Sequence, residues 1–230
     1  MRRITTASLA LTLAATGALA GAAVVAQDGS DLKIGLVTDV GTIDDRNFNQ
    51  YSWEGAVAGA EAVGAAEPQY AISQQSVDIA PNIQAFVDQE YDIIVTVGFA
   101  AGSDTIAAAK ANPDIRFVGV DQAPCITPEG DPDDSFACAG DPAELLPNLQ
   151  GLNWREQQPG YLAGIVAADV SETGHVAAIG GTAVVPAVPN YIEGFANGVL
   201  SVNPDAVVTV TYASGAPDAA AFNDPAGGQA

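Results

Sequence analysis

Basic residues are scarce in this sequence: Lys and Arg total seven against 28 Asp and Glu, a formal net charge of −21. Such a surface repels nucleic acid and anionic lipid, because both are bound by neutralising phosphates with cations. The acids are scattered over the whole length, so they read as a solvated surface adapted to high salt and do not by themselves imply a cationic substrate. Histidine occurs once, at His175, just before a predicted strand and far in sequence from the acid-rich motif described below; it reads as structural. The usual catalytic patterns G-x-x-x-x-G-K-[ST], G-x-S-x-G and H-E-x-x-H are all missing. Two cysteines and one distant histidine make a poor metal-ligand set. No catalytic residue, metal or cofactor is therefore expected. No cysteine precedes Cys125, which leaves no lipid-attached cysteine of the bacterial lipoprotein kind.

What the sequence does contain begins with Met1-Arg2-Arg3 and an uncharged stretch from Ile4 to Ala26, ending Val24-Val25-Ala26 before Gln27. A basic start followed by an Ala- and Leu-rich run reads as a secretory signal peptide over 1–26. The competing reading, a membrane anchor, is weakened by the many Ala, Gly and Thr residues. The mature protein is thus expected outside the cytoplasmic membrane, periplasmic or extracellular. Cys125 and Cys138 flank a polar loop containing Pro128, Gly130, Asp131, Pro132, Asp133 and Asp134. In an oxidising compartment such a pair forms a disulfide, and closing so short a loop contributes about 3 kcal/mol in the chain-entropy picture.

From residue 32 onward, short apolar runs alternate with helical stretches. Strands are predicted over 33–38, 70–73, 92–97 and 116–120, with helices over 48–66, 79–90 and 102–111. Nearly uninterrupted Val/Ile runs suit strands covered on both faces, and the alternation implies parallel strands joined by right-handed crossovers. A Pro/Asp/Gly-rich loop over 122–148 breaks the rhythm. It resumes with a helix over 157–170, a strand over 176–179, a helix over 191–200 and a strand over 206–212. The fold class is α/β, with one lobe over 27–150, a changeover near 149–154, a second lobe over 151–230 and a cleft between them. Residues 218–230 look like the start of another helix. Two strand units are few for a covered sheet, so the second lobe reads as incomplete and the sequence as truncated.

Three polar clusters follow predicted strands. Asp39 to Asn49 comes after the first, Gly98-Phe99-Ala100-Ala101-Gly102 after the third, and Asp121-Gln122 after the fourth. In a doubly wound sheet these carboxyl ends share one edge, where open α/β sheets bind ligands. Gly98 and Gly102 let backbone approach a ligand. Phe48, Trp53 and Phe99 offer stacking faces, and Asp44, Asp45 and Asp121 accept hydrogen bonds from ring nitrogens or sugar hydroxyls. Scaffold readings stand beside these: Asp44 or Asp45 caps the helix that starts near Asn47, Phe48 or Trp53 is core, and Asp121 stabilises its turn. Asp44 and Asp45 are adjacent, so they diverge and are poorly placed as an acid–base pair. Convergence on one edge favours a binding site for a polar, flat small molecule.

The stretch from Ile34 through Gly41-Thr42-Ile43-Asp44-Asp45-Arg46-Asn47-Phe48-Asn49-Gln50, then Trp53-Glu54-Gly55, resembles the BMP (basic membrane protein) family. So do Val97-Gly98-Phe99, Phe117-Val118-Gly119-Val120-Asp121, Tyr161-Leu162-Ala163-Gly164, Gly180-Gly181, Pro186-Ala187-Val188 and Gly194-Phe195-Ala196-Asn197-Gly198. These matches occur in family order across the mature chain. The resemblance implies a type I periplasmic-binding-protein fold, two doubly wound parallel-sheet lobes closing on a hinge. It also implies a purine-nucleoside-type ligand delivered to an ABC permease at the membrane. On that resemblance Asp44, Asp45 and Asn49 lie on the base side, Trp53 and Phe195 stack from the two lobes, and Asp121 accepts from the ribose. Family members carry further ligand contacts, including an acid and a lysine, beyond the length of this sequence. The alternatives are a receptor component that senses a ligand with the same fold, capture of another small polar metabolite and, weakest, a secreted nucleoside hydrolase.

Overall fold

The computed structural model describes residues 31–214. The leader read over 1–26 and the helix start read over 218–230 lie outside them. The first lobe is built on strands β1 (Ile34–Val40), β2 (Gln69–Ser73), β3 (Ile93–Val97), β4 (Arg116–Val120) and β5 (Leu149–Leu152). They form one sheet in the order β2-β1-β3-β4-β5, every neighbouring pair parallel. Helices α1 (Phe48–Val63), α2 (Ile79–Asp88) and α3 (Gly102–Ala111) connect successive strands. The β1-to-β2 step and the β2-to-β3 step run in opposite directions across the sheet. Right-handed crossovers therefore put α1 on one face and α2 and α3 on the other. The latter pair closes the main core, in which Ile79, Ile83, Phe86 and Ala109 meet Val37, Ile94 and Phe117 of the strands.

Differences from the predicted elements have physical causes. Helix α1 ends at Val63 and not at 66, because Gly64 turns left-handed (φ +71°) and its N–H closes onto the carbonyls of Ala60 and Glu61. Strand β5, expected only as a changeover, is a fifth strand. Its sequence Leu-Gln-Gly-Leu is short and not continuously apolar. A tertiary anchor holds it: the buried Asn148 side chain donates to the carbonyls of Ala109 (2.9 Å) and Ile115 (3.0 Å). A single helical turn α4 (Pro142–Leu145), capped by Asp141 accepting from the Ala143 amide, delivers the chain to it.

Beyond β5, residues 153–156 lead into α5 (Gln157–Val170). Strand β6 (His175–Thr182), α6 (Ala187–Val202) and β7 (Val207–Ser214) follow, with β6 and β7 parallel. Helix α6 begins four residues earlier than predicted, since Pro189 falls in its first turn, where a missing N–H breaks no intrahelical bond. Helices α5 and α6 pack backbone to backbone. Gly160 and Gly164 face the carbonyls of Tyr191 and Phe195, while Gly194 and Gly198 face those of Gln157 and Tyr161, so a Cβ at any of the four would overlap a carbonyl oxygen. Gly164→Ala is expected to force the helices apart and destabilise the fold by about 1–3 kcal/mol, measured as a lower midpoint in urea unfolding.

Candidate functional site

The register of the first sheet determines what meets at its carboxyl edge. Val37 pairs with Thr96, and Thr96 with Gly119; two residues further along, Asp39, Gly98 and Asp121 fall in one row. Gly98 adopts φ +86° and ψ 152°, a region essentially restricted to glycine. A Cβ there would lie 2.5 Å from Oδ2 of Asp39, so the glycine makes room for that carboxylate. The Gly98 amide is already spent on the Val120 carbonyl, which leaves its role conformational. Gln122, buried, donates from Nε2 to Thr96 Oγ1 (3.1 Å) and the Gly98 carbonyl (3.0 Å), bracing the ends of β3 and β4.

Asp121 also sits at positive φ (+59°), which a short polar side chain tolerates, and its amide donates to the Leu152 carbonyl. Burial, then the charge of Glu156, then that of Asp39 push its carboxyl up to about 6. Burial likewise raises Asp39, partly offset by the Val40 amide and reinforced by the charge of Asp45. A cavity of about 250 Å³ opens beside Asp121, lined also by Phe99, Gly102, Trp154, Glu156 and, from the start of α6, Asn190. No basic residue is among the described residues that line it. A second, mostly apolar hollow lies on the α1 side of the sheet; Phe48 and Val118 line it, and Trp154 borders both hollows.

Residues 32–226 match a family model described as Bmp, ABC transporter substrate-binding protein PnrA-like. The chain belongs to the Bmp family. It is similar to the "ABC transporter nucleoside-binding protein BmpA" of Lactococcus lactis, with 28% identity over 96% of this chain and 60% of that protein. It is also similar to the "CD4+ T-cell-stimulating antigen" of Listeria monocytogenes, with 27% identity over 82% of this chain and 48% of the relative. An ABC transporter solute-binding protein of Aeropyrum pernix shares the fold at a TM-score of 0.59 and 23% identity, over 80% of this chain and 48% of the other. The chain thus spans about half the length of the curated relatives it matches.

In this Bmp-family chain the residues singled out in the sequence take different places. Asp121 and Phe99 line the cavity, with Gly98 directly behind Asp39. Asp45 instead turns to the start of α1: it accepts from the amides of Asn47 (2.8 Å), Asn49 (3.3 Å) and Gln50 (3.1 Å). What burial it has works against it, but these amides outweigh that and lower its carboxyl. Asp44 is exposed and accepts from the Thr42 hydroxyl. Asn49 is 1% exposed, with Oδ1 taking the Asp39 amide (2.8 Å) and Nδ2 donating to Asp45 (3.0 Å). It holds the Asp39 backbone and does not reach the cavity. Trp53 packs edge-on against Tyr70, centroids 5.0 Å apart, and Phe195 is half-buried on α6 with its carbonyl against Gly164; neither lines the cavity. Cys125 and Cys138 form a disulfide.

Asp39, Trp154, Glu156 and Asn190 were not singled out as site residues in the sequence. A reading of 149–152 as a strand would have found two of them, because the strand-edge rule then puts Trp154 and Glu156 at the same rim. Gly98→Ala is expected to destabilise by about 1–3 kcal/mol from backbone strain and to displace Asp39, seen as a lower thermal midpoint. Asp121→Asn keeps the left-handed backbone but removes a half-buried charge whose folded pKa is raised. That charge costs stability as pH rises from the ordinary carboxylate range through about 6. The variant should therefore unfold at a higher temperature than wild type at pH 7, with the difference vanishing near pH 4.

Proposed function

We propose that this protein captures a purine nucleoside outside the cytoplasmic membrane and presents it to an ABC permease. The observation that carries the reading is the convergence of Asp121 and Glu156 with Phe99 and Trp154 around one cavity with no basic residue among its described lining, Asp39 lying behind it where its charge acts on Asp121. A carboxylate pair offers strong acceptors to the two hydroxyls of a ribose. Aromatic rings offer a face to the base. The carboxylates of Asp121 and Glu156 on the cavity wall repel phosphate, which favours the nucleoside over the nucleotide. The Lactococcus lactis relative, named as nucleoside-binding, supports the same choice.

Capture operates by closure about residues 153–156, which lead from β5 to α5 and carry both Trp154 and Glu156. A ligand held by Asp121 on one side and by the start of α6 on the other favours the closed form through its differential affinity for it. No bond is made or broken. A second reading, capture of a free pentose or similar polyol, is favoured by the cavity volume of about 250 Å³, below the usual range for drug-sized ligands.

Calorimetric titration of guanosine, adenosine, inosine, cytidine and D-ribose separates these readings. A purine nucleoside is expected to bind, and Asp121→Asn should weaken it about tenfold or more, as for loss of a charge-assisted hydrogen bond. Wild-type affinity should fall as pH drops below about 6, where Asp121 gains its proton. D-ribose binding alone would replace the nucleoside by the sugar, and binding of none of the five would refute both readings.

A further inference from the structure

Between β4 and α4 the chain makes an excursion that belongs to no strand–helix unit. Its inner part is firmly anchored. Ile126 is fully buried beside Ile106 and Leu146 and bridges Pro132 in antiparallel fashion. Its carbonyl accepts the Gly140 amide at 2.9 Å. From α3, Lys110 reaches the Glu129 carbonyl (2.9 Å) and pairs with the Asp131 carboxylate. The outer part, 133–138, is held chiefly to itself. The Asp133 amide donates to the Cys125 carbonyl (3.1 Å). The Asp133 carboxylate accepts from the amides of Ser135 (3.0 Å) and Cys138 (2.9 Å), and the Cys125–Cys138 disulfide closes the ring.

This outer part reaches the ligand cavity: Cys125, Asp133 and Phe136 lie on its wall together with Asp121 and Trp154. Phe136 and Cys138 both have positive φ, +57° and +48°. A bulky side chain adopts that backbone only where its surroundings impose it, and such outliers gather at ligand clamps. Phe136 nevertheless leaves 36% of its surface exposed, so burial of its ring does not account for the strained conformation. A ring held at backbone cost and left open at a cavity wall has the character of a contact awaiting its partner.

We infer that the Cys125–Cys138 loop is a disulfide-held wall of the ligand cavity, with Phe136 as its contact to the flat or apolar face of the ligand. Binding strength then depends on the disulfide being closed. Without the cross-link, 133–138 relaxes, Phe136 leaves its left-handed conformation, and the cost of ordering the wall falls on the binding step. The choice of a nucleoside as the partner of Phe136 rests on the function proposed above; the dependence of the wall on the disulfide does not.

The test combines hydrogen exchange with titration of guanosine and inosine. The proteins are oxidised wild type, the double variant Cys125→Ser/Cys138→Ser, and Phe136→Ala and Phe136→Tyr with the disulfide intact. If the double variant does not fold, folded wild type is treated with dithiothreitol. The dithiol supplies two electrons and two protons, the S–S bond breaks into two thiols, and the reagent cyclises to its own disulfide. Loss of the bond is expected to speed exchange of the amides over 133–138 while those of β1, β3 and β4 keep their protection. Phe136→Ala is expected to weaken nucleoside binding about tenfold, within the range for losing a base–aromatic stack, and Phe136→Tyr to retain it. A purely stabilising disulfide would lower the thermal midpoint yet leave the affinity of the folded protein unchanged, which would overturn the inference. So would unaltered exchange over 133–138, or a Phe136→Ala protein that binds as wild type does. If wild type binds neither of these nucleosides nor adenosine, the proposed function fails, and the exchange comparison alone decides whether the disulfide holds the wall.

Discussion

Strand β3 pairs in parallel with β1 on one side and β4 on the other, and the level at which these three strands end governs everything above them. A one-residue slip in a sheet turns every side chain to the opposite face. Here such a slip would turn Val37, Ile94 or Phe117 away from the core that α2 and α3 close and take Asp39 or Asp121 out of the row they share with Gly98. The register is secured from below, by the close packing of Ile94, Val37 and Phe117 against Ile83 and Phe86. It is secured from above by Gln122, which ties β4 to the ends of β3. The binding edge is thus a consequence of core packing, and its precision comes from residues that touch no ligand.

Electrostatics at that edge runs against folding and, on the proposed reading, in favour of binding. Burial raises the carboxyls of Asp121 and Asp39, with the charges of Glu156 and Asp39 adding to it at Asp121 and that of Asp45 at Asp39, and no basic residue is among the described residues that line the cavity beside Asp121. The neighbouring Asp45 shows the contrast: three amides at the start of α1 satisfy it and lower its carboxyl. Carboxylates left with unused acceptor capacity beside a hollow are poised for donors from outside, whereas a satisfied one is scaffold. The same distinction sorts Asn49, whose amide group is committed to Asp39 and Asp45, from Asn190 at the cavity wall.

Trp154 and Glu156 follow β5 directly, so the segment that joins the first sheet to α5 also forms part of the cavity wall. Movement about this segment necessarily alters the site. The glycine-mediated contact of α5 with α6 brings the two backbones together directly, which leaves little room for side-chain rearrangement between them. Opposite it, the disulfide loop extends the wall beyond what the strand ends supply.

The alternation of apolar runs and helical stretches was sufficient, without coordinates, to give an α/β class, the parallel sense of the strands and the shared edge on which Asp39, Gly98 and Asp121 meet. Helices α3 and α5 even have the predicted bounds, because a turn glycine or a proline marks their neighbourhoods. Motif order was enough to identify the Bmp family. The division of labour within the Asp44-to-Trp53 motif was not legible, because a carboxylate that caps a helix and one that faces a ligand are the same residue type in the same loop. Strand β5 escaped for a related reason: its pairing depends on Asn148 reaching carbonyls more than thirty residues away in the chain, and with it escaped Trp154 and Glu156. Sequence by itself determined the elements and the edge, which follow from local periodicity and chain connectivity. Only the tertiary structure decided which side chains are spent inside the protein and which remain open to a ligand, because that depends on the hydrogen-bond partners each one meets across the fold.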